Sequence, residues 1–174
     1  MSLIVPTADG TVLVRADDAE VLAQGPSTIR LLADSDDTGG ALSTQIVQLG
    51  RNVPGAVPHR HDSSAEMFYI LDGIVDVLSG TDVVRANKGD LLVVPAGVPH
   101  AFGAACGHGA ELLIVITPGV QRFEYFRHLG RIVRGELPRE SLLAEQQRYD
   151  TYFLASPTWD ANRAATPVEP ASAE

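Results

Sequence analysis

Short apolar segments, separated by turns that contain glycine or proline, fill residues 10–118, and this pattern limits the fold more than any other feature. Each segment is rich in Val, Ile and Leu and has a length typical of a β-strand. Many short strands at near-regular spacing indicate a β-sandwich or a barrel. The predicted strands are Thr11–Arg15, Ser27–Leu32, Leu42–Leu49, Met67–Leu71, Ile74–Leu78, Val83–Arg85, Leu91–Val94 and Leu112–Ile116.

The turns between these strands are marked by glycine pairs and by Asp-Gly or Ser-Gly steps, as at Gly39-Gly40 and Ser79-Gly80. Asp72-Gly73 stands between two apolar segments and is a strong hairpin signal. We therefore expect the chain to reverse direction there.

The composition changes after Pro118, and we expect helices there. Gln121–Ile132 has aromatic and aliphatic residues at helical spacing, a stripe more typical of core than of a pocket. Pro138–Tyr149 opens with proline and an acidic residue and is the second predicted helix. The sequence thus predicts one domain over 1–163, with a barrel at 10–118 and a helical extension at 119–160. Residues 164–174 lack core-forming side chains and are predicted to be a disordered tail.

The composition is that of a globular domain and excludes several classes of protein. The chain has 174 residues, 45% of them hydrophobic, which is enough for one sizeable core. A net charge of −9 and the lack of a Lys/Arg run disfavour binding to nucleic acid or to an anionic membrane. No apolar run reaches the ~18–20 residues of a membrane span. The single cysteine allows no intrachain disulfide, which is consistent with a cytoplasmic location.

Three histidines and one glutamate form a candidate metal-ligand set: His59, His61, Glu66 and His100. On a strand, His59 and His61 project to the same face, about 6.6–7 Å apart at the backbone. That spacing leaves room for an ion about 2.0–2.1 Å from each imidazole nitrogen. Such a set suits one divalent Fe, Ni, Mn, Co, Cu or Zn ion, and ligand type alone does not choose among these metals.

The segments around these residues resemble the two sequence motifs of the cupin superfamily. The first motif is His-x-His, three or four residues, Glu, six residues and Gly; the second is Gly, five residues, Pro-x-Gly, two residues and His. Both are matched residue by residue, at His59, His61, Glu66, Gly73, Gly89, Pro95, Gly97 and His100. The resemblance implies an all-β fold, an antiparallel double-stranded β-helix or jelly-roll cupin barrel with C-terminal α-helices. It also implies that Nε2 of each histidine binds the metal, with His108 and His128 as bystanders.

Strand alternation predicts what surrounds the metal. Phe68 and Ile70 share the face of Glu66, toward the barrel interior, and Phe102 shares the face of His100. These three residues are the predicted substrate pocket. An apolar cavity of this kind suits a flat, largely apolar ligand or dioxygen better than a sugar phosphate. The alternative is that Phe68 and Phe102 are ordinary barrel core. No arginine or lysine can be placed on these inward faces from the sequence alone.

The part after the barrel resembles bacterial single-domain quercetinase-like cupins. The similarity lies in Gly119-x-x-x-Phe123-Glu124-x-Phe126-x-x-Leu129-Gly130, a second helix, and Tyr149-Asp150-x-x-Phe153. It implies a metal-dependent dioxygenase that opens the ring of a flavonol or related enol. Glu66 would then also be the catalytic base for the substrate hydroxyl. The resemblance further implies a homodimer.

Three functions stay open from the sequence. The first is an oxidoreductase, a dioxygenase that acts on a small enolic or aromatic substrate with dioxygen as co-substrate. The second is a non-oxidative isomerase, cyclase or decarboxylase that uses the same metal as a Lewis acid. The third is a non-catalytic module that binds a small molecule. The fold alone does not choose among them.

Overall fold

A computed structural model describes residues 10–166 and, for Val5–Pro6, the backbone only. This part of the chain forms twelve β-strands, two α-helices and two short 3-10 helices. The strands are β1 (Val5–Pro6), β2 (Val12–Leu13), β3 (Val21–Gln24), β4 (Ser27–Ala33), β5 (Ser43–Leu49), β6 (His59–Arg60), β7 (Ala65–Ser79), β8 (Asp82–Asn87), β9 (Leu91–Val94), β10 (His100–Ala104), β11 (Ala110–Thr117) and β12 (Tyr152–Phe153). The α-helices are α1 (Phe123–Val133) and α2 (Pro157–Ala164), and the 3-10 helices are Asp36–Thr38 and Arg139–Glu145.

The long strand β7 belongs to two sheets and joins them. Its first half pairs with β11 and β9, and its second half pairs with β10 and β8. One sheet therefore has the order β3-β4-β5-β11-β7-β9, and the other has the order β12-β6-β10-β7-β8. All of these pairings are antiparallel, as the predicted jelly-roll barrel requires.

The predicted hairpin at Asp72-Gly73 is wrong, because β7 continues through this step without a turn. Gly73 has a φ of +74° and lies where β7 passes from the first sheet to the second. A Cβ atom at this position would lie only 2.0 Å from the carbonyl oxygen of Gly109. The Asp-Gly step thus allows a bend inside one strand and a close approach between two backbones, rather than a reversal of the chain.

The core lies between the two sheets, where alternate side chains point inward. On β11, for example, buried residues alternate with partly exposed ones along almost the whole strand. Because both sheets contribute such faces, one continuous apolar cluster fills the barrel. Its fully buried large side chains include Leu31, Phe68, Ile70, Leu112 and Ile114.

The extension differs in part from the prediction. The first predicted helix is present as α1, which packs against β3 and accepts a hydrogen bond from the Gln24 amide at the Phe126 carbonyl (3.4 Å). The second, predicted over Pro138–Tyr149, is only a 3-10 helix over Arg139–Glu145 followed by turns. Few apolar residues of this segment are buried, so a longer α-helix would gain little packing.

Helix α2 was not predicted, although its start carries a recognisable signal. Ser156 is the N-cap, and its hydroxyl accepts a hydrogen bond from the Trp159 amide, while Pro157 occupies the first helical turn. Trp159 is buried against the barrel. Arg163 donates from its guanidinium to the carbonyl oxygens of Ala104 (2.8 Å) and Asn52 (2.9 Å). The helix is therefore fixed to the barrel at both of its ends.

The predicted tail is described only at its start. Ala164 ends α2, and Thr166 is buried. The rest of that predicted segment, 167–174, lies outside the described residues. The limits of the predicted domain stay a prediction. Within the described part of the chain, neither α-helix is long and apolar enough to cross a membrane.

The Gly73 substitution to alanine is expected to cost more stability than the same change at Gly80. Both residues have positive φ, +74° and +66°, so left-handed strain of about 1–2 kcal/mol applies to each. Only at Gly73 does the added Cβ meet backbone atoms, and such crowding costs a further ~1–3 kcal/mol. Chemical denaturation of Gly73→Ala and Gly80→Ala measures this difference in the free energy of unfolding. An equal decrease in the free energy of unfolding for both variants would show that the backbone at Gly109 can move to accommodate the added Cβ atom.

Candidate metal centre

The pairing of β6 with β10 brings two of the histidines side by side. His59 lies opposite His100 in the register of these strands, and their ring centroids are 4.3 Å apart. His61 follows two residues after His59, with its ring centroid 5.0 Å from that of His59 and 5.1 Å from that of His100. The three imidazoles thus form a compact triangle, and all three are buried.

Glu66, near the start of β7, completes the cluster. Its Oε2 atom lies 2.6 Å from Nε2 of His100 and 3.4 Å from Nε2 of His61. One ligand atom from each of the four residues lies within 4.8 Å of the others. The structure therefore brings together all four residues that the sequence singled out, and this set can hold one metal ion.

Backbone carbonyl groups fix the orientation of the three imidazoles. Nδ1 of His59 lies 2.8 Å from the Val57 carbonyl oxygen, and Nδ1 of His100 lies 2.9 Å from that of Val98. Nδ1 of His61 is hydrogen-bonded to the Asp150 carbonyl oxygen. With Nδ1 as donor, the Nε2 atoms are left to face the cluster, which matches the predicted ligand atoms.

His61 Nε2 provides a test of whether the cluster fits a metal. This atom is buried and has no hydrogen-bond partner among the described residues. A buried nitrogen lone pair without a partner is costly unless something binds it. Because that nitrogen faces two other imidazoles and a carboxylate, the donor set fits a divalent transition metal.

The electrostatics of the metal-free cluster favour a neutral His59 and an ionised Glu66, as a metal needs, and a protonated His100, whose proton a metal would displace. Burial, reinforced by the nearby His100, holds the pKa of His59 well below its usual value, so this ring is neutral. Burial alone would raise the pKa of Glu66, but the hydrogen bond with His100 and the nearby His61 ring outweigh it and hold that pKa well below its usual value. Burial alone would likewise lower the pKa of His100, but the hydrogen bond and charge of Glu66 raise it. Nε2 of His100 and Oε2 of Glu66 therefore form a close pair, 2.6 Å apart, and both atoms belong to the ligand cluster.

Asp150 supports the cluster from the extension, and the sequence analysis gave it no role. Its two carboxylate oxygens accept hydrogen bonds from the backbone amides of Asp62 (2.9 Å) and Ser63 (3.0 Å). Its carbonyl accepts from His61, and its φ of +46° is unusual for a residue other than glycine. One residue therefore holds both the His61 ring and the loop that follows it.

A cavity of about 720 Å³ opens beside the cluster, and His59 and Glu66 lie on its wall. This volume is in the range of about 300–1,000 Å³ that is common for small-molecule sites. The inward faces of β4 and β5, the loop after β5 and the extension enclose it. Most of the residues that line it are apolar, and they include Ile29, Val47, Leu49, Ala56, Phe102, Ile114, Phe126, Leu129, Ile132 and Phe153.

The predicted pocket residues divide between the cavity and the core. Phe102 lines the cavity, as expected. Phe68 and Ile70 do not line it and are fully buried in the core instead. Phe68 packs between the rings of His100 and Phe102, with centroid distances of 6.2 Å and 5.5 Å. Strand alternation gave the correct inward face for these residues. It does not show how far each side chain lies from the cavity, and around Phe68 and Ile70 the barrel interior is filled by side chains.

The sequence analysis missed the polar residues of the cavity wall, above all Arg122. Arg122 is buried directly before α1, and the buried Tyr125 lies one turn further along the helix. The helical stripe predicted as core also lines the cavity, since Phe126, Leu129 and Ile132 belong to its wall. The available sequence signal for these wall residues was an aromatic stripe that follows an arginine. Such a stripe does not by itself show that α1 covers the open side of the barrel.

Comparisons with known proteins agree with this fold. Residues 45–117 match the family model described as Cupin domain. Over 132 residues the chain is 28% identical to the quercetin 2,3-dioxygenase of Bacillus subtilis (strain 168), a match that covers 74% of this chain and 38% of that protein. The chain thus spans less than half the length of this relative.

Solved structures with the same fold include an RmlC-like cupin from Shewanella frigidimarina NCIMB 400. The TM-score is 0.53 at 18% identity, and the match covers 64% of this chain and 92% of that one. A variant of Streptomyces PAC13 with uridine gives a TM-score of 0.51 at 14% identity, covering 62% of this chain and 82% of the other. Identities this low show the fold alone, and they confirm the predicted cupin barrel.

Replacing His61 with alanine is expected to remove most of the bound metal. The change deletes one of four ligand nitrogens and leaves the charge of Glu66 with one fewer partner. Elemental analysis after loading with excess Zn²⁺ and desalting should show near-stoichiometric metal in the wild type and a large loss in His61→Ala. The matched control is His108→Ala, which changes an exposed histidine outside the cluster. Unchanged metal in His61→Ala would refute the assignment.

Asp150→Asn is expected to weaken metal binding about 10–100-fold, the usual effect of losing a group that orients a ligand. The variant keeps a side chain of the same shape, but its amide nitrogen cannot accept the second backbone N–H bond. Competition with a chelator measures the affinity for Zn²⁺. Asp17→Asn, at an exposed position far along the chain, is the control and should bind like the wild type. Equal affinity in both variants would show that the Asp150 carboxylate, through the amides of Asp62 and Ser63, does not support the cluster.

Proposed function

Because this chain carries a cupin domain in which four buried ligand-type residues converge beside an apolar cavity, we propose that it is a metal-dependent dioxygenase acting on a small enolic or flavonol-like compound. The observation that carries the proposal is the position of Glu66. This residue belongs to the ligand cluster and also lines the cavity, so one carboxylate can contact both a metal and a bound substrate.

The character of the cavity supports a flat apolar substrate. Its walls are mainly aliphatic and aromatic, and Phe102 stands between the cluster and the loop after β5. A sugar phosphate would need many more polar partners than this wall offers. A flavonol or a β-diketone is largely apolar and has an acidic enol hydroxyl, which suits a wall with one buried carboxylate, that of Glu66.

The similarity to a quercetin 2,3-dioxygenase supports the oxidative reaction over the alternatives. It extends over 132 residues and covers 74% of this chain, which is more than the barrel alone. Since the chain covers only 38% of that relative, its substrate is carried over here as a proposal. The resident metal is proposed to be one first-row divalent ion, Fe, Ni, Mn, Co, Cu or Zn. The homodimer and the cytoplasmic location stay predictions.

In the proposed reaction the residues of the chain have separate roles. His59, His61 and His100 hold the metal by Nε2, and Glu66 holds it by its carboxylate. When bound, the metal supplies Lewis-acid and one-electron chemistry. Glu66 accepts the proton of the enol hydroxyl, and the apolar walls position the ring and exclude water. The cleaved carbon–carbon bonds supply the electrons, and both atoms of dioxygen end in the products, so no separate reductant is needed.

Oxygen uptake tests this function. Wild-type protein, loaded with each candidate metal in turn, is expected to consume dioxygen with at least one compound from a panel of flavonols and β-diketones. Glu66→Gln is expected to lose about 10²–10⁴-fold in activity, the usual contribution of a general base, and to lose less metal than activity. An oxygen electrode and elemental analysis on the same samples give the two values.

Glu111→Gln is the matched control, because it makes the same substitution on the outer face of β11. It should keep both activity and metal. Tight binding of the panel compounds without oxygen uptake under any metal would contradict the dioxygenase proposal. It would instead favour a non-oxidative enzyme or a binding module.

A further inference from the structure

Arg122 is a buried cation that has no carboxylate partner within residues 10–166. Only 4% of the surface of Arg122 is exposed to solvent. The guanidinium donates from Nη1 to the Tyr149 carbonyl oxygen (3.2 Å) and to the Thr151 hydroxyl (2.6 Å). Its Nε is buried and has no hydrogen-bond partner among the described residues. No described Asp or Glu forms an ion pair with it.

Aromatic rings give this charge only partial compensation. The guanidinium carbon lies 4.2 Å from the centre of the Tyr125 ring and 5.3 Å from that of Phe126. Such contacts stabilise a buried cation less than a carboxylate would. The guanidinium is thus buried and fixed by Tyr149 and Thr151, but it still has N–H groups without acceptors. A bound ligand could supply the missing acceptor.

The open side of this arrangement is the cavity beside the metal cluster, because Arg122 is one of the residues that line it. Tyr125 and Gln45 line it too, and neither side chain forms a hydrogen bond within the described part of the chain. The buried part of the wall thus has several uncommitted donors, while the charged Arg139 and Glu140 lie at its exposed edge. Glu66 cannot neutralise Arg122 once its carboxylate is engaged by a divalent metal, since the metal and its four ligands together keep one positive charge.

We infer that Arg122 binds an anionic oxygen of the ligand, so that the cavity selects apolar molecules bearing an enolate or a carboxylate. The planar guanidinium suits both groups, since each presents delocalised oxygens in one plane. Thr151 is a positioning residue, because it bonds Nη1 of Arg122 but does not itself line the cavity. The inference deepens the proposed function, on which it rests for the identity of the cavity as the substrate site.

Binding of matched probe pairs to the zinc-loaded protein tests this inference without turnover, since zinc is redox-inert. One pair is trans-cinnamate and cinnamamide, which share a shape but differ in charge. The other is 3-hydroxyflavone and flavone, which differ in the enol hydroxyl. Wild-type protein is expected to prefer the acidic member of at least one pair by about 10–100-fold, the range of a hydrogen bond to a charged group. Preference in only one pair identifies the group that is bound, carboxylate or enolate.

Arg122→Gln is expected to reduce that preference to less than about threefold, with little change for the neutral probe, and Arg122→Lys is expected to keep part of it. Thr151→Val should weaken binding of the acidic probe only. Ile132→Val, on the same wall, is the control and should affect both members of a pair equally. Repeating the titrations with metal-free protein separates binding to Arg122 from binding to zinc.

Two results would overturn the inference. One is that the wild-type protein binds the neutral probes as tightly as the acidic ones. This measurement does not depend on the folding of any variant. The other is an Arg122→Gln or Thr151→Val protein that keeps the full preference. Neither result depends on oxygen uptake. A chain that consumed dioxygen but showed no acid preference would refute the role of Arg122 alone, and the reverse outcome would refute the dioxygenase proposal alone.

Discussion

Three backbone carbonyl oxygens determine the orientation of the three imidazole rings in the ligand cluster, and the rest of the site depends on them. Two use the same local device, because His59 and His100 each bond to the carbonyl two residues earlier in the chain. The third is remote, since His61 bonds to Asp150. Each carbonyl accepts a hydrogen bond from Nδ1, so each Nε2 is left to face the cluster around Glu66. The three buried rings can therefore act together as ligands.

The barrel and the extension make different contributions to this site. The barrel supplies the four ligand-type residues on β6, β7 and β10 and the loop that follows β6. The extension supplies most of one cavity wall through α1 and adds the cation of Arg122. Without the extension the cluster would face open water, and a low-dielectric site, where hydrogen bonds and charges act strongly, would not form. The shape and charge of the cavity therefore depend on the extension as well as on the barrel.

The sequence was sufficient to single out the four candidate ligand residues, because rules of local spacing relate them, although the pairing of β6 with β10 brings them together. Alternation on a strand relates His59 to His61, and the motif spacing relates both to Glu66 and His100. The same local rules failed at Asp72-Gly73, since turn chemistry does not distinguish a hairpin from a bend within a long strand. They also missed Arg122, whose bonds go to residues 27 and 29 positions later. The depth of Phe68 in the barrel likewise depends on packing between sheets, which no single strand encodes.

The bond between His61 and Asp150 spans 89 positions of the chain. During synthesis, the barrel strands leave the ribosome well before that acceptor exists. The His61 ring is then free to rotate, and Asp62 and Ser63 lack the carboxylate that holds their amides. The candidate centre thus reaches its final geometry only after Asp150 has been synthesised, and the order of synthesis places the assembly of the barrel before the ordering of its ligand rings.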